Sequence, residues 1–116
     1  MIALLVPVGK EPVPIRIGND LKSLQDAVDG YIESYKPFRR DVPVTCIVNE
    51  EGALNGSKHN RTVYRLGPTG DAIDYDMIFG DFLIVGTSED EIVSLTPEQL
   101  RQFAEMFRYK SVYVEW

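Results

Sequence analysis

Apolar positions in this chain fall into two kinds of run. Ile2 to Val8 and Met77 to Val85 are nearly continuous, which predicts strands buried on both faces. Gly80 inside the second run predicts a bulge or a close backbone approach. Val42 to Val48 is the most strand-like segment of all, and Tyr31 to Tyr35 would pair with it as a hairpin. Pro12 to Ile17 alternates and carries two prolines, so it suits a sheet edge, where a missing donor costs nothing. Thr62–Leu66, Ile92–Leu95 and Ser111–Trp116 complete the predicted strands.

Two stretches follow the helical period instead. Leu21, Leu24 and Val28 make one stripe, with Asp20 placed to cap the first turn and Gly30 just beyond the last. Thr96-Pro97-Glu98-Gln99-Leu100 starts the second helix with a capping box, proline at its first position, and Leu95 and Leu100 as a hydrophobic staple. Leu100, Phe103, Ala104 and Phe107 then fill one face. Between these elements, Asn49 to Gly52 reads as a turn, and Gly67 to Gly70 as a loop that Asp71, Asp74 and Asp76 prolong. The order β-β-α-β-β-β-β-β-α-β predicts one α+β domain over residues 1–116. We expect a largely antiparallel twisted sheet with both helices on one face.

Composition narrows the function classes. The 116 residues carry a net charge of −6, unevenly spread. Residues 1–65 hold nine Lys/Arg against eight Asp/Glu; residues 66–116 hold three against ten. Such an acidic half repels nucleic acid, so no direct nucleic-acid binding is expected. No apolar run approaches the roughly 20 residues that span a bilayer. Met1 to Val8 lacks a basic leader and is too short for a signal segment, so a cytoplasmic, soluble protein without membrane contact is expected. One cysteine and one histidine provide neither a disulfide nor a zinc set, and no metal or cofactor is expected.

Candidate chemistry concentrates between Cys46 and Tyr64, where a strand breaks into a polar loop holding two glycines, three asparagines and His59. Asn49, Asn55 and Asn60 suit side-chain to backbone bonds that tie such a loop to itself. Lys58 and Arg61 suit an anion, and a guanidinium can grip a carboxylate or phosphate with two parallel bonds. Arg61 has a long charged side chain that the fold has no evident need for. Glu50, Glu51 and His59 could do acid–base work, but no nucleophile elbow accompanies His59, and Ser57 lies only two residues away in the same loop. Asp71, Asp74 and Asp76 offer hard oxygens without the spacing of a calcium loop. No glycine-rich phosphate loop exists.

Three stretches together resemble domain of unknown function family 3846. They are Leu24-Gln25-x-x-Val28-x-Gly30-Tyr31-Ile32-Glu33, then Asn49-Glu50-Glu51-Gly52-x-Leu54-x-Gly56-x-x-x-Asn60-Arg61, then Phe79-Gly80-Asp81-Phe82-Leu83-Ile84-Val85-Gly86. Ser94-Leu95-Thr96 before the last helix adds to the likeness. Where many relatives place a Pro-Pro or Leu-Pro pair before Asn-Arg, this chain has Lys58-His59. The resemblance implies a short protein of bacterial mobile elements and phages, favours a strand over Tyr31–Tyr35, and carries no catalytic role to any residue.

These readings converge on an accessory or binding domain that recognises a protein or a small anionic ligand through Asn49, Glu51, Asn55, Lys58, Asn60 and Arg61. Two alternatives stand beside it. One is an inhibitor that mimics DNA through the acidic half; the other is a small enzyme using Glu50, Glu51 or His59.

Overall fold

The computed structural model describes residues 1–115. The predicted closing strand is thus described as far as Glu115, and Trp116 lies outside the described residues. Strands β1 (Ile2–Val6) and β2 (Val13–Arg16) precede helix α1 (Leu21–Val28). Strands β3 (Ile32–Tyr35), β4 (Val44–Asn49), β5 (His59–Leu66), β6 (Ala72–Phe79), β7 (Phe82–Ser88) and β8 (Glu91–Val93) follow. Helix α2 (Pro97–Met106) and strand β9 (Ser111–Glu115) close the order. The α+β class is as the patterning predicts, with antiparallel pairing dominant.

Both helices begin where the caps place them. Asp20 accepts from the Ser23 amide at 3.1 Å. Thr96 and Gln99 exchange bonds of 2.9 and 3.1 Å, which completes the capping box. The first helix ends on Asp29, which itself takes the left-handed conformation at φ 58°. Gly30 instead leaves room for a neighbour, since a Cβ there would lie 2.6 Å from the Asn49 side chain.

The strands divide into two sheets. The larger runs β2-β1-β7-β4-β3, with β8 added to the end of β7, and all its pairings are antiparallel. The smaller runs β6-β5-β9, and there β5 and β9 are parallel. The continuous apolar runs in β1, β4 and β7 are explained by cover on both sides of the large sheet. Leu4, Val6, Cys46, Phe82 and Ile84 face a core shared with the small sheet and with Phe103 and Phe107. Ala3, Ile47, Leu83 and Val85 face Leu24 and Val28 of α1.

Two expectations are corrected here. The helices lie against opposite faces of the large sheet, not one face, because successive residues of a buried strand point to opposite sides and both sides are apolar. Asp71 to Asp76 is not a prolonged loop either: from Ala72 onward it is the strand β6. Gly80, at φ 81°, makes the tight turn from β6 into β7 instead of a bulge within one run.

Candidate functional site

The polar loop is shorter than its sequence suggests, because β5 already begins at His59. Asn49 ends β4 and is buried. Its Nδ2 donates to the Val28 and Asp29 carbonyls at 3.0 and 3.1 Å, and its Oδ1 accepts from the Glu51 amide at 2.8 Å. Asn60 is buried too, and its Nδ2 donates to the Val6 and Gly80 carbonyls at 2.8 and 2.9 Å. Each asparagine supplies a donor and an acceptor where chain segments meet, so both act as internal ties. Glu51, Asn55 and Lys58 stay exposed on the turn. Asn55 folds back to accept from the Ser57 amide and hydroxyl at 3.1 and 2.6 Å. The six candidate residues therefore separate into a buried set, Asn49, Asn60 and Arg61, and an outer set, Glu51, Asn55 and Lys58.

Arg61 departs most from expectation. It is only 3 % exposed, and three segments converge on its guanidinium. Nε donates to the Phe107 carbonyl at 2.9 Å, Nη1 to Asn60 Oδ1 at 2.6 Å, and Nη2 to the Lys10 carbonyl at 2.8 Å. The fold does need this side chain: it ties the turn after β1 and the end of α2 to the start of β5. The Phe107 carbonyl belongs to the C-cap of α2, where the exposed end of the helix dipole favours a cation. Among the described residues no carboxylate pairs with Arg61. Burial pushes its guanidinium below the ordinary arginine range.

Arg61 lines a cleft of about 370 Å³ between the β1–β2 turn, the start of β5 and the α2–β9 turn. Lys10, Arg108, Lys110 and His59 line it as well, and Glu11 is its one carboxylate. Arg108 reaches Glu11 at 3.1 Å and Glu105 at 3.7 Å. Around His59 the field is positive: burial first, then Lys110 and Arg61, hold its imidazole below the usual histidine range. Its Nε2 shares a 2.8 Å hydrogen bond with Thr62 Oγ1, and its ring meets Phe79 edge to face at 5.8 Å.

Sequence reading passed over Lys10, Arg108 and Lys110, since turns far apart in the chain contribute them. One signal was present: two of the three cations in the acidic half, Arg108 and Lys110, fall within three residues of each other.

The other candidates are placed elsewhere. Arg65 grips Asp74 with two bonds of 2.6 and 2.7 Å and reaches Asp76 at 3.1 Å. Tyr35 also donates to Asp76, at 2.9 Å; burial and then that carboxylate push its phenol upward. Asp74 is held below the usual carboxylate range by the Arg65 hydrogen bonds. Two of the three closely spaced aspartates in the acidic half, Asp74 and Asp76, are therefore matched by an arginine. Glu50 lines a separate cavity of about 190 Å³ with Glu33 and the same Asp76, while Glu51 does not line it. Cys46 is buried, and burial alone pushes its thiol upward. Among the described residues no group of carboxylates, His or Cys is arranged to hold a metal ion. No helix among them is long and apolar enough to cross a membrane.

Neither a curated protein nor a solved structure matches the chain significantly. The family model described as a domain of unknown function, DUF3846, matches residues 1–108, nearly the whole sequence, and the chain belongs to that family.

Proposed function

We propose that this is a binding domain for a small anionic ligand, seated in the cleft above Arg61. The loop from Asn49 to Arg61 contributes only its last residues, His59 to Arg61, to that cleft. One observation carries the reading: in a chain of net charge −6, four cations and one carboxylate line a single cleft. Its deepest cation, Arg61, is balanced by carbonyl dipoles alone among the described residues. Carbonyls satisfy the N–H groups but leave a full positive charge in a poorly hydrated place. A guanidinium has five N–H groups, and Nη2 spends only one of its two on Lys10. An anion would supply both the missing charge and a further acceptor. In this reading the domain is an accessory protein of a bacterial mobile element, which the family resemblance supports.

Titration with sodium pyrophosphate at low salt tests this, followed by amide chemical shifts. Shifts should concentrate at Lys10, His59 and Lys110 and weaken as sodium chloride is added, since charge holds the complex. The double variant Lys10→Glu/Lys110→Glu should abolish them. Both side chains are exposed, so its stability should stay within about 0.5 kcal/mol of the parent. Shifts scattered over the surface, or unchanged in the double variant, would remove the cleft as the binding site.

A further inference from the structure

The small sheet turns one face to the core and leaves the other open, and that open face breaks the usual pattern. A half-exposed antiparallel strand presents polar residues outward. Here β6 reverses the rule. Asp74 and Asp76 share the inward parity of Ile78, while Ile73, Tyr75 and Met77 are 56, 58 and 52 % exposed. Across the strands Tyr75 opposes Tyr64, and Tyr64 opposes Tyr113, so three tyrosines form a row over the whole sheet. Tyr113 is 59 % exposed.

The ring geometry narrows what can sit there. Tyr64 and Tyr113 have centroids 5.2 Å apart and planes within 16°. Two rings lying flat side by side could not approach so closely; they stand on edge and stack on one another. Tyr75 leans on the other side of Tyr64 at 5.7 Å and 38°. The ring faces are thus largely spent on each other. A base or sugar that needs a flat aromatic platform finds mainly edges and hydroxyls.

We infer that this face is the contact between two copies of the chain, packed small sheet to small sheet about a two-fold axis. Two observations choose this occupant. The central row and its neighbours Ile73, Met77 and Thr62 carry no charge. Glu115 shares the outward parity of Tyr113 at one end of this face. Two molecules of net charge −6 can therefore meet over that row with the acid left at the rim. The exposed area of these side chains is roughly 600 Å², at the top of the range for apolar patches on monomers and close to the ~800 Å² per partner of a stable interface. Tyrosine and methionine are also among the residues enriched in such contacts. A two-fold axis brings the same patch of each copy together, so one face with an uncharged centre suffices.

Sedimentation velocity from micromolar to near-millimolar concentration tests the inference. A dimer should form over that range in the parent chain. Tyr75→Glu and Met77→Lys, each exposed and on the open face, should each raise the dissociation constant at least a hundredfold. Far-ultraviolet circular dichroism must show the parent fold for either variant to count, and two variants of opposite charge guard against one failing to fold. Monomer at every concentration would overturn the inference and leave the face to a partner of another kind. So would a dimer that both folded variants retain.

Discussion

Strand β5 carries two arginines four residues apart, Arg61 and Arg65, and the molecule treats them oppositely. Arg65 sits among acids: Asp74 and Asp76 take its N–H groups, and those bonds push its guanidinium further above the ordinary range. Arg61 sits among carbonyls and other cations, and burial pushes its guanidinium the other way. One end of the strand is a finished ion-pair network; the other holds a buried charge with no opposite charge paired to it among the described residues. The difference teaches where a ligand would gain most. An anion brought to Arg65 would have to displace two carboxylates, whereas one brought to the Arg61 cleft displaces none but Glu11.

The largest expected effect reverses what the sequence alone suggests. Arg61 reads there as a dispensable surface charge, whose loss would cost under about half a kcal/mol. Its removal by Arg61→Ala instead strands the Lys10 and Phe107 carbonyls and Asn60 Oδ1. Lost partners at about 1–3 kcal/mol each, partly relieved by entering water, should cost about 3 kcal/mol in total. Arg65→Ala breaks a partly exposed network and should cost about 1 kcal/mol. Urea melts of the two variants decide the order. Equal losses would mean that Arg61 is not the deeper tie.

Much of this molecule was legible from its sequence, and the failures have physical causes. The capping box at Thr96 and the cap at Asp20 could be read because their partners lie three residues away. Arg61 could not, because its partners Phe107 and Lys10 lie 46 and 51 residues away. The β6 strand escaped notice for a different reason. Its period-two alternation is present in Ile73, Asp74, Tyr75, Asp76 and Met77, but acids at close spacing resemble a solvated loop until Arg65 is known to face them. Helix placement failed because a strand apolar on both faces announces that both are covered without saying by which helix. Within the candidate site, the asparagines' role as ties was foreseeable from their chemistry; the cations of the cleft were assembled by topology.

A smaller effect tests whether the Arg61 end is one unit. Asn60 accepts from Arg61 and donates to Val6 and Gly80. Asn60→Ala should cost about 1–2 kcal/mol alone. Combined with Arg61→Ala it should fall short of additivity by about 1 kcal/mol, because each change already removes the shared bond. The corresponding cycle for Arg65 and Asp74 should show about 0.5 kcal/mol, as exposed pairs do. A strictly additive Asn60–Arg61 cycle would mean that the two side chains serve the fold independently.

The smallest effect reads the charge of the cleft directly, through the titration of His59. Burial, Lys110 and Arg61 hold its imidazole below the ordinary value of 6.5 in the folded chain. The folded state thus resists a proton that the unfolded state accepts. The sign follows: this contribution to stability is complete above pH 6.5 and is lost as pH falls through 6.5 toward the folded value. Proton resonances of the ring should give a midpoint below 6.5 in the free protein. Lys110→Ala should move it upward by removing one of the repelling charges. Pyrophosphate in the cleft should do the same, because its charge opposes all the cations at once. Arg65→Ala should leave it unmoved, since Arg65 spends its charge on Asp74 and Asp76 at the far end of the strand. If the midpoint ignores Lys110→Ala and pyrophosphate alike, the cations around His59 do not form one field. The contrast between the two ends of β5 would then be a matter of packing only, without consequence for a ligand.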